Sequence, residues 1–358
     1  MEYEYWYANI KGISNRRKTE IRQQFVDIKE LFFAEESKME TMGLSQKERK
    51  GVIESIQTWK LNEEYEKILK ENIQCIPIWH SMYPKNLKEI HTAPYMLYVN
   101  GQVPNSRKKT VAIVGARDCS TYGSYMARQF AEKLALEGIQ IVSGMARGID
   151  SISQRAALEA GGMSFAVLGC GADVCYPKEE KFLFEALKKQ GGIISELPMG
   201  TPPFKSNFPA RNRIISGLAD AILVIEAKER SGSLITVDMA LEQGKDVYAL
   251  PGPVNSKLSY GCNSLIKQGA EIVLSTEDLL NDLGIDVMQN SQNRSVEKIL
   301  LETTEKLVYS CLDLQPQNLG DLIQRTKLSV PELLDVLIRL EMMGIVGEIS
   351  KNHYVKLK

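Results

Sequence analysis

The chain has 358 residues, room for two or three domains at about 150 residues each. Its 44% hydrophobic and 25% charged residues are those of an ordinary globular protein and exclude a largely disordered chain. Lys plus Arg number 44 against 45 Asp plus Glu, so any basic surface must be local and offset elsewhere. No apolar run approaches the roughly 20 residues that span a bilayer. The acidic, aromatic start MEYEYWYANI argues against a secretory signal. Cysteines at 75, 119, 170, 175, 262 and 311 form no CxxC pair, which argues against a zinc site or a disulfide framework. A cytoplasmic protein without membrane contact, metal or cofactor is expected.

Residues 1–75 are charged and poor in glycine. Apolar residues three and four apart over Arg22–Phe33 and Lys47–Lys60 predict a small helical domain. Residues 76–106 carry Pro77, Pro84, Pro94 and Pro104 among aromatics, which predicts an ordered but irregular connector. Over 107–283, strand patterns alternate with helical ones. The strands are Val111–Val114, Ile139–Val142, Phe165–Leu168, Ile193–Ser195, Ala221–Ile225, Val247–Ala249 and Glu271–Val273. The helices are Gly123–Glu137, Ile149–Ala160, Glu179–Lys189, Ser233–Gln243 and Tyr260–Lys267. This alternation predicts a doubly wound α/β domain whose mostly parallel sheet binds ligands at its strand ends. Residues 284–295, rich in Asn and Gln, read as a linker. Over 296–358 three helical patterns precede a hairpin of Ile345–Ile349 and His353–Leu357, the order of a winged helix. Ser329 and Glu332 are spaced as a capping box for the third helix, and Gly344 ends it.

Familiar nucleotide motifs are missing: there is no GxxxxGK[ST], and the first strand is followed by Gly115-Ala116-Arg117 rather than GxGxxG. His80, His91 and His353 all lie outside the α/β domain. Of the carboxylates near strand ends and helix starts, Glu196, Glu226, Asp150 and Asp238, Asp150 reads first as a helix-dipole or capping residue. Anion-binding formats are more abundant. Ser143-Gly144-Met145-Ala146-Arg147-Gly148 and Ser231-Gly232-Ser233 each run from a strand into a helix, the second helix bearing Thr236. Glycines let the backbone approach an anion, and the free N–H groups of a helix start point at it. Phe204–Arg213 adds three cations, Lys205, Arg211 and Arg213, with Asn207, Phe208 and Asn212, before a helix expected to start near Arg211. Arg117 and Lys178 fall at the same sheet edge. Cations for phosphates beside aromatic faces for bases suit a single strand of nucleic acid.

Gly115-Ala116-Arg117, SGMARGID at 143–150, DVCYP at 173–177, NFPARNRIISGL at 207–218, SGSLIT at 231–236 and PGP at 251–253 together resemble the DprA/Smf family over about 107–280. The resemblance implies an extended Rossmann-like domain that binds single-stranded DNA and delivers it to the recombinase RecA in DNA uptake and recombination. It implies DNA contacts at Arg117, Ser143–Gly148, Lys178 and Lys205–Arg213. Residues 1–75 look like the family's helical SAM-like domain, although its Gly-x-Gly hairpin reads Gly12-Ile13-Ser14 here; the first turn likewise has alanine where many members have serine. The resemblance further implies a homodimer through the late part of the α/β domain, for which Leu258–Leu274, with Leu265, Ile266 and Ile272, is the candidate.

Two other readings compete. Phosphoribohydrolases on a related fold use PGGxGTxxE, but the comparable stretch here is SGSLITVD, with the glutamate replaced or shifted to Asp238. A duplex-reading winged helix would place Glu332, Asp335 and Glu341 against phosphate with only Arg339 in support, leaving Lys351, Lys356 and Lys358 of the hairpin for a minor role. The third helix therefore reads as a protein-interaction surface.

Overall fold

The computed structural model describes residues 1–285, 302–313, 316–350 and 352–356. Residues 286–295 of the expected linker, and Lys351 and Lys358, lie outside the described residues.

The helical start comprises α1 (Glu2–Ala8), α2 (Asn15–Arg22), α3 (Lys29–Phe32), α4 (Glu36–Thr41), α5 (Gln46–Thr58) and α6 (Leu61–Lys70). Ser14 caps α2, and Ser45 with Glu48 closes α5 in a capping box. Helix α1 has no polar face: Tyr5, Trp6 and Tyr7 are all buried, with Trp6 edge-on to Phe32 at 4.9 Å. Its one buried carboxylate, Glu4, is matched by Arg22 (2.6 Å) and by the Tyr95 hydroxyl (2.6 Å). These helices share one continuous core with a face of the sheet.

The connector is more regular than its prolines suggest. Strands β1 (Gln74–Pro77) and β2 (Met96–Gly101) pair antiparallel on either side of the short α7 (Lys85–Lys88), and β2 pairs antiparallel with β6 of the main sheet. Pro77 ends β1, Pro84 precedes α7 and Pro94 precedes β2, so prolines punctuate the strands without breaking them.

Strands β3 (Thr110–Val114), β4 (Gln140–Ser143), β5 (Ser164–Val167), β6 (Gly191–Ser195), β7 (Ala221–Val224), β8 (Asp246–Ala249) and β9 (Glu271–Ile272) are mutually parallel. The order β1-β2-β6-β5-β4-β3-β7-β8-β9 makes β3 and β7 the point where the winding reverses. Side chains alternate: Val111 and Ile113 face α8 (Thr121–Leu136), α9 (Ile149–Glu159) and α14 (Thr276–Asp282). Ala112 and Val114 face the opposite core, which takes in α10 (Lys181–Lys189), α11 (Asn207–Leu218), α12 (Gly232–Glu242) and α13 (Tyr260–Lys267). Helix α11 starts four residues before the expected Arg211, because Ser206-Asn207-Phe208-Pro209 forms its first turn and proline fits there.

Toward the C-terminus, α15 (Thr303–Cys311), β10 (Gln317–Asn318), α16 (Leu319–Thr326), α17 (Val330–Met342), β11 (Val346–Ser350) and β12 (His353–Lys356) form a winged helix with its own core. Its sheet order is β10-β12-β11, and the Ser329–Glu332 capping box opens α17. Among the described residues no helix is long and apolar enough to cross a membrane.

Candidate nucleic-acid interface

At the β3/β7 reversal the chain leaves β3 toward α8 on one face and β7 toward α12 on the other. The gap between these departures is a cavity of about 650 Å³. Five cations line it, Arg117, Lys205, Arg211, Lys228 and Arg230, against Asp118 and Asp150. Arg117, Lys205, Lys228 and Arg230 are exposed. Lys228 and Arg230 escaped the sequence reading because they precede the glycine-serine motif; their distance from β7 was the available signal.

Of the helices that start at this edge, α8, α9, α11 and α12 stand around the reversal, and their N-termini divide into two kinds. At α8, Ser120 caps the Gly123 N–H (3.0 Å) and gives its own N–H (2.9 Å) and hydroxyl (2.5 Å) to buried Glu226. At α9, Asp150 accepts the Gly144 N–H at 3.1 Å. Both positive ends thus hold an internal carboxylate. Helices α11 and α12 have no acid in their first turns; Phe208, Pro209, Gly232 and Ser233 face the cavity. Ser231 caps α12 from the Ser233 N–H (3.4 Å), and the two hydroxyls lie 2.7 Å apart. An incoming anion is favoured at these two open ends.

This arrangement corrects the reading of the 143–148 loop as a phosphate cradle. Ser143 is fully buried and donates its hydroxyl to the Ile113 carbonyl (2.6 Å), while the Gly144 N–H is taken by Asp150. Arg147 remains exposed, on a second, smaller hollow with Tyr176 and Pro177; Gly148 adjoins it, and Lys178 stands exposed beside them.

The arginines of the FPARNR segment are also corrected. Arg211 is 5% exposed and donates to the carbonyls of Gly144 (3.0 Å) and Val167. Burial lowers its pKa to about 10, with neighbouring Asp150 acting in the opposite sense. The same burial raises the Asp150 carboxyl, opposed by Arg211 and the Gly144 and Ala146 N–H groups. Arg213, two residues on, is turned by about 200° of helix. It forms a two-pronged pair with Glu196 (2.9 and 2.6 Å), which also accepts from Asn15 of α2 at 3.4 Å. Lys205 is the one cation of that segment left exposed at the cavity.

Phe208 lies 5.4 Å from the Tyr176 ring, with Arg211 5.9 Å from its centroid. A side chain at Gly169 would come within 3.0 Å of that ring, so glycine makes the room. Asn207 is spent on the Gly169 carbonyl (3.2 Å), and Asn212 reaches the Gly232 carbonyl (3.4 Å), tying α11 to α12. Thr236 is buried in the cavity wall. At the β9 edge Leu265 is a core residue and is corrected as an interface candidate; Ile266 packs against that core. Ile272 and Leu274 are 48% and 67% exposed.

A doubly wound, mostly parallel sheet with a cationic cavity at its reversal defines the class: a Rossmann-like α/β protein. The family model for DNA recombination-mediator protein A matches residues 74–284, and that for the DprA winged helix domain matches 297–348. Protein Smf of Escherichia coli is 39% identical over 295 residues, covering 80% of this chain and 78% of that one. DNA processing protein DprA of Streptococcus pneumoniae is 43% identical over 215 residues, 59% of this chain and 76% of its own. The X-ray structure of the Streptococcus pneumoniae protein superposes with a TM-score of 0.68 at 34% identity, covering 79% of this chain and 98% of that one. A Helicobacter pylori DNA processing protein A, solved for its single-stranded DNA binding mode, gives a TM-score of 0.51 at 29% identity over 56% of this chain and 92% of that one. The chain belongs to the DprA/Smf family of DNA recombination mediators.

Proposed function

We propose that this protein binds single-stranded DNA in the cavity at the β3/β7 reversal and delivers the strand to RecA, in DNA uptake and homologous recombination in the cytoplasm. The observation that carries this is the pairing of four exposed cations with two helix starts that lack an internal acid. Arg117, Lys205, Lys228 and Arg230 take phosphates, Arg147 and Lys178 extend the path along the second hollow, and the Phe208 and Tyr176 rings offer faces to bases. Binding to oligonucleotides across a salt series tests it. Affinity for single strands should exceed that for duplex and fall steeply with salt; equal affinity for both, or no salt dependence, overturns the reading.

The protein works as a binder, not a hydrolase. Glu226 and Asp150 serve helix N-termini, Glu196 is paired with Arg213, and exposed Asp238 is not among the cavity-lining residues. Asp238→Asn should leave nucleotides as untouched as the wild type does; base release abolished by that change would restore the phosphoribohydrolase reading. Helix α17 is a protein-docking element, since Arg339 is engaged with Asp335 (2.9 Å) and Glu305 (3.8 Å) and leaves its surface acidic. Subunits pair as a homodimer through the β9 edge.

A further inference from the structure

We infer that Asp150 and Arg211 are a positioning pair: they hold the 143–148 loop, and through it the Arg117 turn, in the strand-binding geometry without touching DNA. The inference rests on the single-strand reading above.

Gly144 is gripped from both sides. Its N–H goes to Asp150 (3.1 Å) and its carbonyl receives Arg211 (3.0 Å), which also reaches the Val167 carbonyl at the end of β5. A Cβ on Gly144 would lie 2.7 Å from the guanidinium and 2.9 Å from the carboxylate, so a side chain there would push both groups from their places. The next residue, Met145, has φ +51°, a left-handed conformation that a side-chain-bearing residue keeps only where neighbours impose it. Here the imposing neighbour is Gln154, whose Oε1 accepts the Met145 N–H at 3.1 Å.

The far end of the loop presses on the Arg117 turn. Gly148 has φ +81°, and the Ile149 N–H donates to the Ala116 carbonyl (3.2 Å), one residue before Arg117. A Cβ at Gly148 would sit 2.3 Å from the Ala116 oxygen and 2.4 Å from the Arg117 oxygen. The loop is therefore a packed spacer between the buried pair and the exposed arginine. Because the carboxylate offsets the guanidinium, the pair adds little net charge to the cavity.

Charge and position predict opposite signs for Asp150→Asn. If cavity charge alone set affinity, removing an acid would tighten single-strand binding. The positioning role predicts a loss of about fivefold or more, because the Gly144 N–H loses a charged acceptor and Arg211 loses the nearby carboxylate charge that opposes its burial. Arg211→Lys keeps the charge but not the fork. It should bind as weakly as Arg211→Met, with a salt slope equal to that of the wild type. Tightened or unchanged binding by Asp150→Asn, rescue by Arg211→Lys, or a slope reduced by about 0.7 as for one lost phosphate contact would each overturn the inference. Should Asp150→Asn fail to fold, as judged by tryptophan fluorescence, Arg211→Lys decides between the same two outcomes. A wild type that binds no single strand defeats the functional reading instead, and is distinguished by that control.

Discussion

Arg117, Arg211 and Arg213 lie within one region of the sheet edge and do three different things: one is exposed, one is buried on carbonyls, one is paired with Glu196. Residue changes should separate accordingly. Lys228→Glu and Arg230→Glu are expected to weaken single-strand binding about tenfold each and to lower the salt slope by about 0.7, the signature of a lost phosphate contact. Arg213→Met should leave that slope alone and cost about 2 kcal/mol of stability, since it strands Glu196 in a largely buried site. Fluorescence anisotropy across salt and urea melts read the two effects separately. Lys18 gives a pH test. Its ammonium donates to the Ala8 carbonyl in a buried site, and burial lowers its pKa to about 8 from an ordinary 10.5. The folded chain therefore releases this proton before the unfolded chain does, and stability contributed by the site rises with pH above about 8. From pH 8 to about 9.5 the wild type should gain about 1.5 kcal/mol relative to Lys18→Met. A pH-independent difference would mean the ammonium is already satisfied.

The elements around the cavity are joined by backbone contacts too close for side chains. The 143–148 loop meets the β3–α8 turn through Gly148, whose positive φ and missing Cβ are both required. Gly148→Ala should cost about 2 kcal/mol or more and weaken single-strand binding together with stability, as Arg117 is displaced. A melt shift with unchanged affinity would show that the Arg117 turn tolerates the push. Helices α8 and α9 are completed internally by Glu226 and Asp150, whereas α11 and α12 leave their positive ends to the cavity. Similar helix starts thus acquire different tasks according to where one carboxylate lands.

At the scale of the whole molecule, the antiparallel β1–β2 pair extends the sheet at one edge and the two-residue β9 ends it at the other. In the proposed homodimer the exposed Ile272 and Leu274 would place the self-complementary contact at the β9 edge, since a symmetric dimer presents the same patch twice. Ile272→Lys should therefore give a folded monomer by light scattering, with weaker and less cooperative DNA binding. A wild type that is monomeric at micromolar concentration rules the dimer out. Because Leu265 belongs to the core, charge placed there would test folding rather than association.

Alternating β-branched runs and helical stretches were enough to place β3 to β9, since buried parallel strands need apolar residues on both faces. Arg117, Lys205 and the Ser231-Gly232-Ser233 helix start were legible as positions at the cavity for the same local reason: turns and helix starts have their own residue preferences. Strands β1 and β2 were hidden by flanking prolines, whose harmlessness depends on which strand they end. Arg211 and Arg213 looked alike in the chain because sequence gives charge without direction; one helix turn sent the first to Gly144 and the second to Glu196. The 143–148 loop reads as an anion site in sequence until folding turns its Gly144 N–H onto Asp150, and only folding brings Glu226 onto the start of α8. Composition and periodicity determine which elements form. Which charges stay free for a ligand is decided only when distant segments meet, because a charge is neutralised by whatever packs within a few ångströms of it.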